Sequence, residues 1–256
     1  MEVVPISRTV CSASEPASLL GYNVLITTSN VHDISELQSL VESNRVDGML
    51  LTRALEDDRA LQYLSQVNFP TALTGTCRYD NIIQVDTDNE GAAEKMTTLL
   101  IGKGFRRFAF LVKNMSYNVD RKRHEGFCRA LIKNGISEKD QLFYNGSIRM
   151  EFLDAIIENI ISKKVECIIC GDDEICTMVM SRLQAEGYRI PKDVAIASLY
   201  NSTNLDCYSP AVTAVSVAAS QMGGAAVRQL IQRLRGENYE KKTMLDYDIL
   251  FRKSTN

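Results

Sequence analysis

The residue types that bind polar ligands occur at three places in this sequence, and the first is an arginine. Arg123 lies in the charged segment Arg-His-Glu-Gly-Phe at residues 123–127, which is predicted to be helical. Its planar guanidinium would donate a forked hydrogen bond to a polar ligand if it pointed into a cleft. A surface arginine beside Arg121, Lys122 and His124 is the alternative, and residue chemistry alone favours the surface position.

The second place is an acidic run, Asp172, Asp173 and Glu174, which follows an apolar segment and opens a predicted helix. Acidic residues at a helix start accept hydrogen bonds from free backbone amides and interact favourably with the helix dipole. One carboxylate is therefore expected to cap the helix. Three adjacent acids exceed what a cap requires, so a second carboxylate is a candidate to accept hydrogen bonds from ligand hydroxyl groups.

The third place is the segment Tyr-Asn-Ser at residues 200–202, which follows the apolar strand predicted at residues 194–197. The side-chain amide of Asn201 at the end of a strand either contacts a ligand or forms a turn. The sequence does not decide between these two roles.

Catalytic and metal-binding patterns are not found. The only histidines, His32 and His124, lie far apart, with no nucleophile elbow and no glycine-rich phosphate loop. Cys167 and Cys170 lie on an apolar strand, where residues three apart point to opposite faces, so buried reduced thiols are favoured over a metal site. The sequence predicts no catalytic residue, no metal and no cofactor, although a fold alone never excludes an enzyme.

Composition limits the function classes further. Of the 256 residues 45% are apolar and 24% are charged. The net charge is −3, whereas a domain that binds nucleic acid typically carries an excess of positive charge. The sequence shows no signal peptide and no apolar run of about 18 residues that would span a membrane. Seven cysteines in an irregular pattern favour reduced thiols. We therefore expect a cytoplasmic protein without a membrane partner.

Short apolar strands alternate with longer amphipathic segments along the chain, which predicts an α/β fold of parallel sheets with helices on both faces. The first helix is predicted at residues 3–20 and a buried strand at 23–27. Two doubly wound sheets fit the length, with a break near residues 113–116. Because ligands in such folds bind beyond the carboxyl ends of the strands, the loops after strands matter most.

Six segments together resemble the lactose repressor (LacI/GalR) family of bacterial transcriptional regulators, and they follow one another along the chain in the order found in that family. The most specific is Gly-Tyr-Arg-Ile-Pro-Lys-Asp-Val at residues 187–194. The other five lie at residues 45–48, 85–91, 104–109, 123–127 and 251–255. The likeness covers nearly the whole chain. The DNA-binding headpiece, the hinge helix and the first core strand with which the family begins are expected to be absent.

The resemblance implies two doubly wound parallel-sheet lobes of the periplasmic-binding-protein type. The N-terminal lobe is expected at residues 1–113 plus 218–243, without its first strand. The C-terminal lobe is expected at residues 117–210 plus 244–256. The chain would cross between lobes near 113–117 and 211–217.

The resemblance also implies a ligand site. In the family, residues matching Arg123, Asp172 and Asn201 contact a small effector that binds between the lobes. Asp173, the expected helix cap, and Tyr200 complete the predicted ligand-binding set. The chain has Asp172 where the family usually has asparagine, and Asn201 where it usually has aspartate, so a polar ligand is still expected.

The function predicted from this resemblance is an effector-sensing domain of a bacterial transcriptional regulator, with a sugar-like effector. A homodimer is expected, and operator DNA would be contacted only through the missing N-terminal headpiece. The alternative is the solute-binding protein of an ABC-type sugar transporter, which shares the fold. The segments at residues 190–191 and 252–255 favour the regulator.

Overall fold

Helices and strands alternate in the structure, a computed structural model that describes residues 8–27, 33–146, 148, 150–217 and 219–256. The helices are α1 (Arg8–Leu19), α2 (Ser35–Glu42), α3 (Arg59–Gln66), α4 (Asn89–Gly102), α5 (Asn118–Lys133), α6 (Met150–Ser162), α7 (Asp173–Ala185), α8 (Thr203–Cys207) and α9 (Ala219–Leu234). The strands are β1 (Met49–Leu51), β2 (Thr71–Thr74), β3 (Ile83–Thr87), β4 (Phe108–Val112), β5 (Leu142–Asn145), β6 (Cys167–Cys170), β7 (Ala195–Ser198), β8 (Thr213–Val217), β9 (Lys242–Leu245) and β10 (Tyr247–Leu250).

The chain divides into two compact units, and the first comprises Met1–Thr87 and Ala218–Asp246. Its sheet has the strand order β1-β2-β3-β9, and all its pairs are parallel. Leu50 packs on one face with α1 and α9, whereas Leu51 packs on the other face with α2 and α3. Strand residues alternate between faces, so this sheet is covered by helices on both sides, as the sequence predicts.

The second unit comprises Asp88–Val217 and Tyr247–Asn256, and its sheet has the order β10-β8-β7-β6-β4-β5. Only β10 is antiparallel to its neighbour among the strands described there. Cys167 packs with residues of α4 and α5, and Cys170 packs with residues of α6 and α7. The two thiols therefore point to opposite faces, as predicted, and burial raises the pKa of both.

The division between the units differs from the predicted one. Strand β4 pairs with β5 and β6, so it lies in the second sheet and not in the first. The first crossing consequently falls between Thr87 and Asp88, instead of near 113–117. The end of the chain likewise contributes to both sheets: β9 belongs to the first and β10 to the second, because the chain leaves the first sheet at Asp246.

The start of the chain also differs from the prediction. The predicted helix at residues 3–20 is found as α1, and its residues before Arg8 lie outside the described part of the chain. The strand predicted at 23–27 is wrong. These residues form no strand, and Val24, Leu25 and Ile26 are 43%, 63% and 52% exposed. Apolar residue types alone predict a buried strand here, but a strand also needs a neighbouring backbone to hydrogen-bond with.

Helices α4 and α5 pack closely on one face of the second sheet, and Gly126 makes this possible. A methyl group at that position would overlap the backbone carbonyl of Glu90 and lie 3.0 Å from Cβ of Ala93. Across the same contact Arg129 pairs with Glu90 and Glu94, and Lys133 also pairs with Glu94. The absence of a side chain at Gly126 thus fixes the distance between the two helices.

We expect Gly126→Ala to lower the free energy of unfolding by about 1–3 kcal/mol, because the added methyl group must force α4 and α5 apart. Urea denaturation followed by circular dichroism measures the change. Gly102→Ala is the matched control, since a methyl group there meets nothing within 4 Å, and it should be neutral or stabilising. Equal midpoints for both variants would contradict the packing argument.

Candidate functional site

The polar residues of the second unit collect at one edge of its sheet. Lys113 follows β4, Gly171 follows β6, and Leu199 with Tyr200 follows β7. The three strands are parallel and paired in register, with Leu111 opposite Cys170. The loops after them therefore emerge at the same edge, which is where parallel sheets bind ligands.

Arg123 is buried beneath this edge. Only 7% of the residue is exposed, so the surface position favoured by residue chemistry alone is wrong. Its Nε donates to Oδ1 of Asn89 on α4 at 3.0 Å, and its Nη1 donates to the carbonyl oxygen of Gly171 at 2.7 Å. A buried guanidinium is tolerated only when its donors find acceptors, and these two contacts hold the group in place.

Asp172 begins helix α7, and its side chain has two roles. Its Oδ1 accepts a hydrogen bond from the backbone amide of Ile175 at 2.9 Å, which makes Asp172 the N-cap. The prediction that Asp173 caps this helix is therefore wrong: Asp173 is the first helical residue and is half-buried. Asp172 has extended backbone angles, and that conformation aims a capping carboxylate at the free amides of the first turn.

The other oxygen of Asp172 forms an ion pair with Lys113. The Oδ2–Nζ distance is 3.0 Å, and Lys113 also pairs with Glu174 in the first turn of α7. Burial by itself lowers the pKa of Lys113, but the two carboxylates outweigh burial and raise it above its ordinary value. Lys113 therefore stays charged and links the loop after β4 to the loop after β6.

Asn201 contacts the C-terminal segment of the chain. Its Oδ1 accepts a hydrogen bond from Nη1 of Arg252 at 2.9 Å. Arg252 also donates to the carbonyl oxygen of Val212 and pairs with Asp206. The segment at residues 251–255, singled out by its resemblance to the family's C-terminal tail, thus has a physical role: it holds the loop after β7 in place.

Tyr200 takes part in the turn at the end of β7. Its backbone amide donates to Oγ of Ser198 at 3.3 Å, and its carbonyl oxygen accepts from the same hydroxyl at 2.7 Å. The structure therefore brings Arg123 and Asp172 together around Gly171. The contacts described for Tyr200 and Asn201 involve Ser198 and Arg252 instead.

Sequence reasoning missed a further buried acid of the site, Asp120. It is 5% exposed, and its Oδ2 accepts a hydrogen bond from the backbone amide of Asn114 at 3.0 Å. Burial raises the pKa of Asp120, although the Asn114 amide and the charge of Arg123 act in the opposite direction. Asp120 precedes Arg123 by three residues on one helix face, a spacing that could have indicated it.

Three other residues of the site, Asn89, Lys113 and Arg252, were also not predicted as site residues. Each contacts a partner distant in sequence, so no local spacing indicates them. The site holds guanidinium, ammonium, carboxylate and amide groups, which donate to and accept from a polyhydroxylated ligand. In the described ranges no three residues of the metal-ligating types cluster, and no helix has the length and apolarity to cross a membrane.

The raised pKa of Asp120 predicts a pH dependence of stability. The folded state holds this proton more tightly than the unfolded chain, so the contribution of Asp120 to wild-type stability falls as pH rises from about 3.8 through the folded-state pKa. Asp120→Asn stays neutral and keeps an acceptor for Asn114. We therefore expect its stability relative to the wild type to grow from acidic to neutral pH, as measured by urea midpoints across the pH range.

Asp193→Asn is the control of opposite sign. Arg189 lowers the pKa of Asp193 to about 2, so this carboxylate stabilises the protein above its unfolded pKa and loses that effect as pH falls towards 2. The variant should be less stable than the wild type at neutral pH, and the difference should shrink in acid. If the urea midpoints of Asp120→Asn and of the wild type change in parallel with pH, the pKa of Asp120 is not raised in the folded protein.

Comparison with known proteins agrees with this fold. Residues 97–255 match the family described as periplasmic binding protein-like domain. The HTH-type transcriptional regulator CelR of Thermobifida fusca is 26% identical over 237 residues, which are 90% of this chain and 70% of that protein.

Two solved structures are also similar. A transcription regulator like protein from Staphylococcus haemolyticus is 26% identical, with a TM-score of 0.87 over 96% of this chain and 90% of that one. A complex of the transcriptional regulator CelR with cellobiose is 25% identical, with a TM-score of 0.85 over 96% and 78%. These relatives are described as transcriptional regulators, which agrees with the resemblance to the lactose repressor family. The chain belongs to the periplasmic binding protein-like domain family, and the proteins to which it is similar include transcriptional regulators.

Proposed function

We propose that this chain is the effector-sensing part of a bacterial transcriptional regulator and that its second unit contributes Arg123 and Asp172 to the binding of a sugar-like molecule. The observation that carries the proposal is the buried guanidinium of Arg123 at the carboxyl edge of the second sheet. A charged group is costly to bury, and ligand binding gives a reason to keep one at this edge.

The chemistry of the site supports a neutral, hydroxyl-rich ligand. Lys113 is balanced by Asp172 and Glu174, and Asp120 lies near Arg123. With these charges offset, a strongly charged ligand would lack a counter-charge, whereas hydroxyl groups can both donate to carboxylates and accept from a guanidinium. The similar protein CelR has been solved with cellobiose, a ligand of this class.

Regulation is favoured over transport because CelR and the similar solved structures are regulators. In our proposal operator DNA is contacted by a helix-turn-helix headpiece outside this chain, since the chain itself carries a net charge of −3. Such a regulator acts in the cytoplasm. The seven cysteines, which are all free thiols, fit that compartment. The other predicted ligand contacts, Asn201, Asp173 and Tyr200, stay predictions and rank below Arg123 and Asp172. Their described neighbours are protein groups or the helix start.

The test is calorimetry of the chain with cellobiose, followed by maltose and xylose as further neutral sugars. We expect Arg123→Ala and Arg123→Lys to weaken the binding of a sugar that the wild type binds. The loss expected for a buried, charge-assisted hydrogen bond is about 2 kcal/mol, or roughly thirtyfold in affinity. Lysine retains the positive charge but cannot donate the forked hydrogen bond of a guanidinium, so the lysine variant separates the contribution of the charge from that of the forked bond.

Arg107→Ala is the matched control. This arginine precedes β4 at the opposite end of the strand, and its side chain is exposed and paired with Glu166. Its removal should leave sugar affinity unchanged. Equal affinities of the wild type and both Arg123 variants would reject Arg123 as a ligand contact. If no neutral sugar binds the wild type, the proposed effector class is wrong.

We also propose a two-fold dimer through helices that flank the first sheet, since closed two-fold symmetry is the commonest arrangement of soluble oligomers. Leu19 at the end of α1 supports this proposal, because it is a large apolar side chain that is 80% exposed in the single chain. We expect light scattering at about tens of micromolar protein to give a dimer for the wild type.

Leu19→Glu should shift that dimer towards monomer, because it places a charge in the contact. Ile132→Glu is the control: Ile132 is also exposed, at 67%, but it lies on α5 of the second unit. Monomeric wild type would count against dimerisation, and a dimer that Leu19→Glu leaves intact would place the contact elsewhere.

A further inference from the structure

We propose that Asn89 is a positioning residue for Arg123: its side-chain amide sets the direction of the guanidinium that contacts the effector. The proposal rests on the proposed function for the role of Arg123. The contact between the two side chains, however, can be measured without any ligand. Asn89 lies 34 residues before Arg123 and is brought to it only by the packing of α4 against α5.

The contact is short and buried on both sides. Asn89 and Arg123 are each 7% exposed, and the distance from Nε to Oδ1 is 3.0 Å. Nε is the donor nearest the aliphatic stem, so fixing it fixes the plane of the whole guanidinium. Nη1 is then directed to the carbonyl oxygen of Gly171, immediately before the helix cap Asp172.

The backbone holds Asn89 in this place. Asp88 caps α4 by accepting a hydrogen bond from the amide of Gly91 at 2.9 Å, which makes Asn89 the first helical residue. On α5, Gly126 lies three residues after Arg123 on the same face and permits contact with the backbone of Glu90. The close approach at Gly126 therefore sets how deeply Asn89 reaches towards Arg123.

An asparagine does what a carboxylate would not do here. Its amide oxygen accepts one hydrogen bond without adding a second carboxylate beside Asp120 near the guanidinium. Aspartate at position 89 would also accept this bond, but it would form a buried ion pair and add a further negative charge next to Arg123. Position and charge of Arg123 are therefore separable by substitutions at Asn89.

The experiment measures solvent exchange of the Nε proton of Arg123 in ¹⁵N-labelled protein by NMR. The signal is assigned by its loss in Arg123→Lys. We expect the proton to exchange at least about tenfold faster in Asn89→Ala than in the wild type, and to stay protected in Asn89→Asp, because only the alanine variant loses the acceptor. Asn89→Ser, whose hydroxyl is too short to reach Nε, serves as the second variant should Asn89→Ala fail to fold.

Asn134→Ala is the matched control. Asn134 caps the C-terminal end of α5, the helix that carries Arg123, and its side chain donates to the carbonyl oxygen of Ala130. This variant loses an asparagine hydrogen bond but should leave the exchange of the Arg123 proton unchanged. Equal protection of that proton in Asn89→Ala, Asn89→Ser and the wild type would overturn the proposal.

Sugar affinity is the second readout. For a neutral sugar that the wild type binds, Asn89→Ala should weaken binding by about tenfold, and Asn89→Asp, which keeps the hydrogen bond, should weaken it less. An unchanged affinity in Asn89→Ala, despite faster proton exchange, would limit Asn89 to a structural role and contradict the proposal. If no sugar binds the wild type, the proposed function fails, while the exchange measurement still decides whether Asn89 positions Arg123.

Discussion

A buried arginine cannot be neutralised, so its donors must be satisfied by groups that other parts of the chain bring to it. In this protein that requirement connects three elements of the second unit. Arg123 on α5 donates to Asn89 at the start of α4 and to Gly171 after β6. The packing of α4 on α5 and the pairing of β4 with β6 must both be correct for these acceptors to be present.

The charges around Arg123 are arranged in pairs. Lys113 pairs with Asp172 and Glu174, and Asp172 at the same time caps α7. A single carboxylate thus links the loop after β4 to the helix that follows β6. Substitution of Asp172 would disturb a helix cap, an ion pair and a candidate ligand contact together, so its loss alone would not reveal which role matters for binding. Arg123 is the better probe of the site because its described contacts do not cap a helix.

In the first unit, apolar residues that lack a neighbouring strand in the described part of the chain are exposed to solvent. Val24, Leu25 and Ile26 have the residue types of a buried strand, yet all three are more than 40% exposed. In the described part of this sheet β1 pairs with β2 alone, so β1 forms its edge. Three residues of β1 are half-buried, in contrast to the fully buried residues of β2 and β3. Apolar composition favours burial, but hydrogen bonding to a neighbouring strand decides it.

The sequence by itself determined the fold class, the family resemblance and part of the candidate site. The alternation of apolar strands and amphipathic helices predicted two parallel sheets, because that periodicity is a property of each segment by itself. The order of the segments fixed the family resemblance. The resemblance in turn selected Arg123, for which residue chemistry alone favoured a surface position, together with Asp172 and Asn201.

Only the tertiary structure decided the rest. It placed β4 in the second sheet, since strand pairing depends on partners far apart in the chain. It made Asp172 the helix cap instead of Asp173, since one residue of offset changes which carboxylate has extended backbone angles. It brought Asn89 to Arg123 and Arg252 to Asn201. These contacts join residues 34 and 51 positions apart, and no spacing along the sequence encodes a distance that packing alone creates.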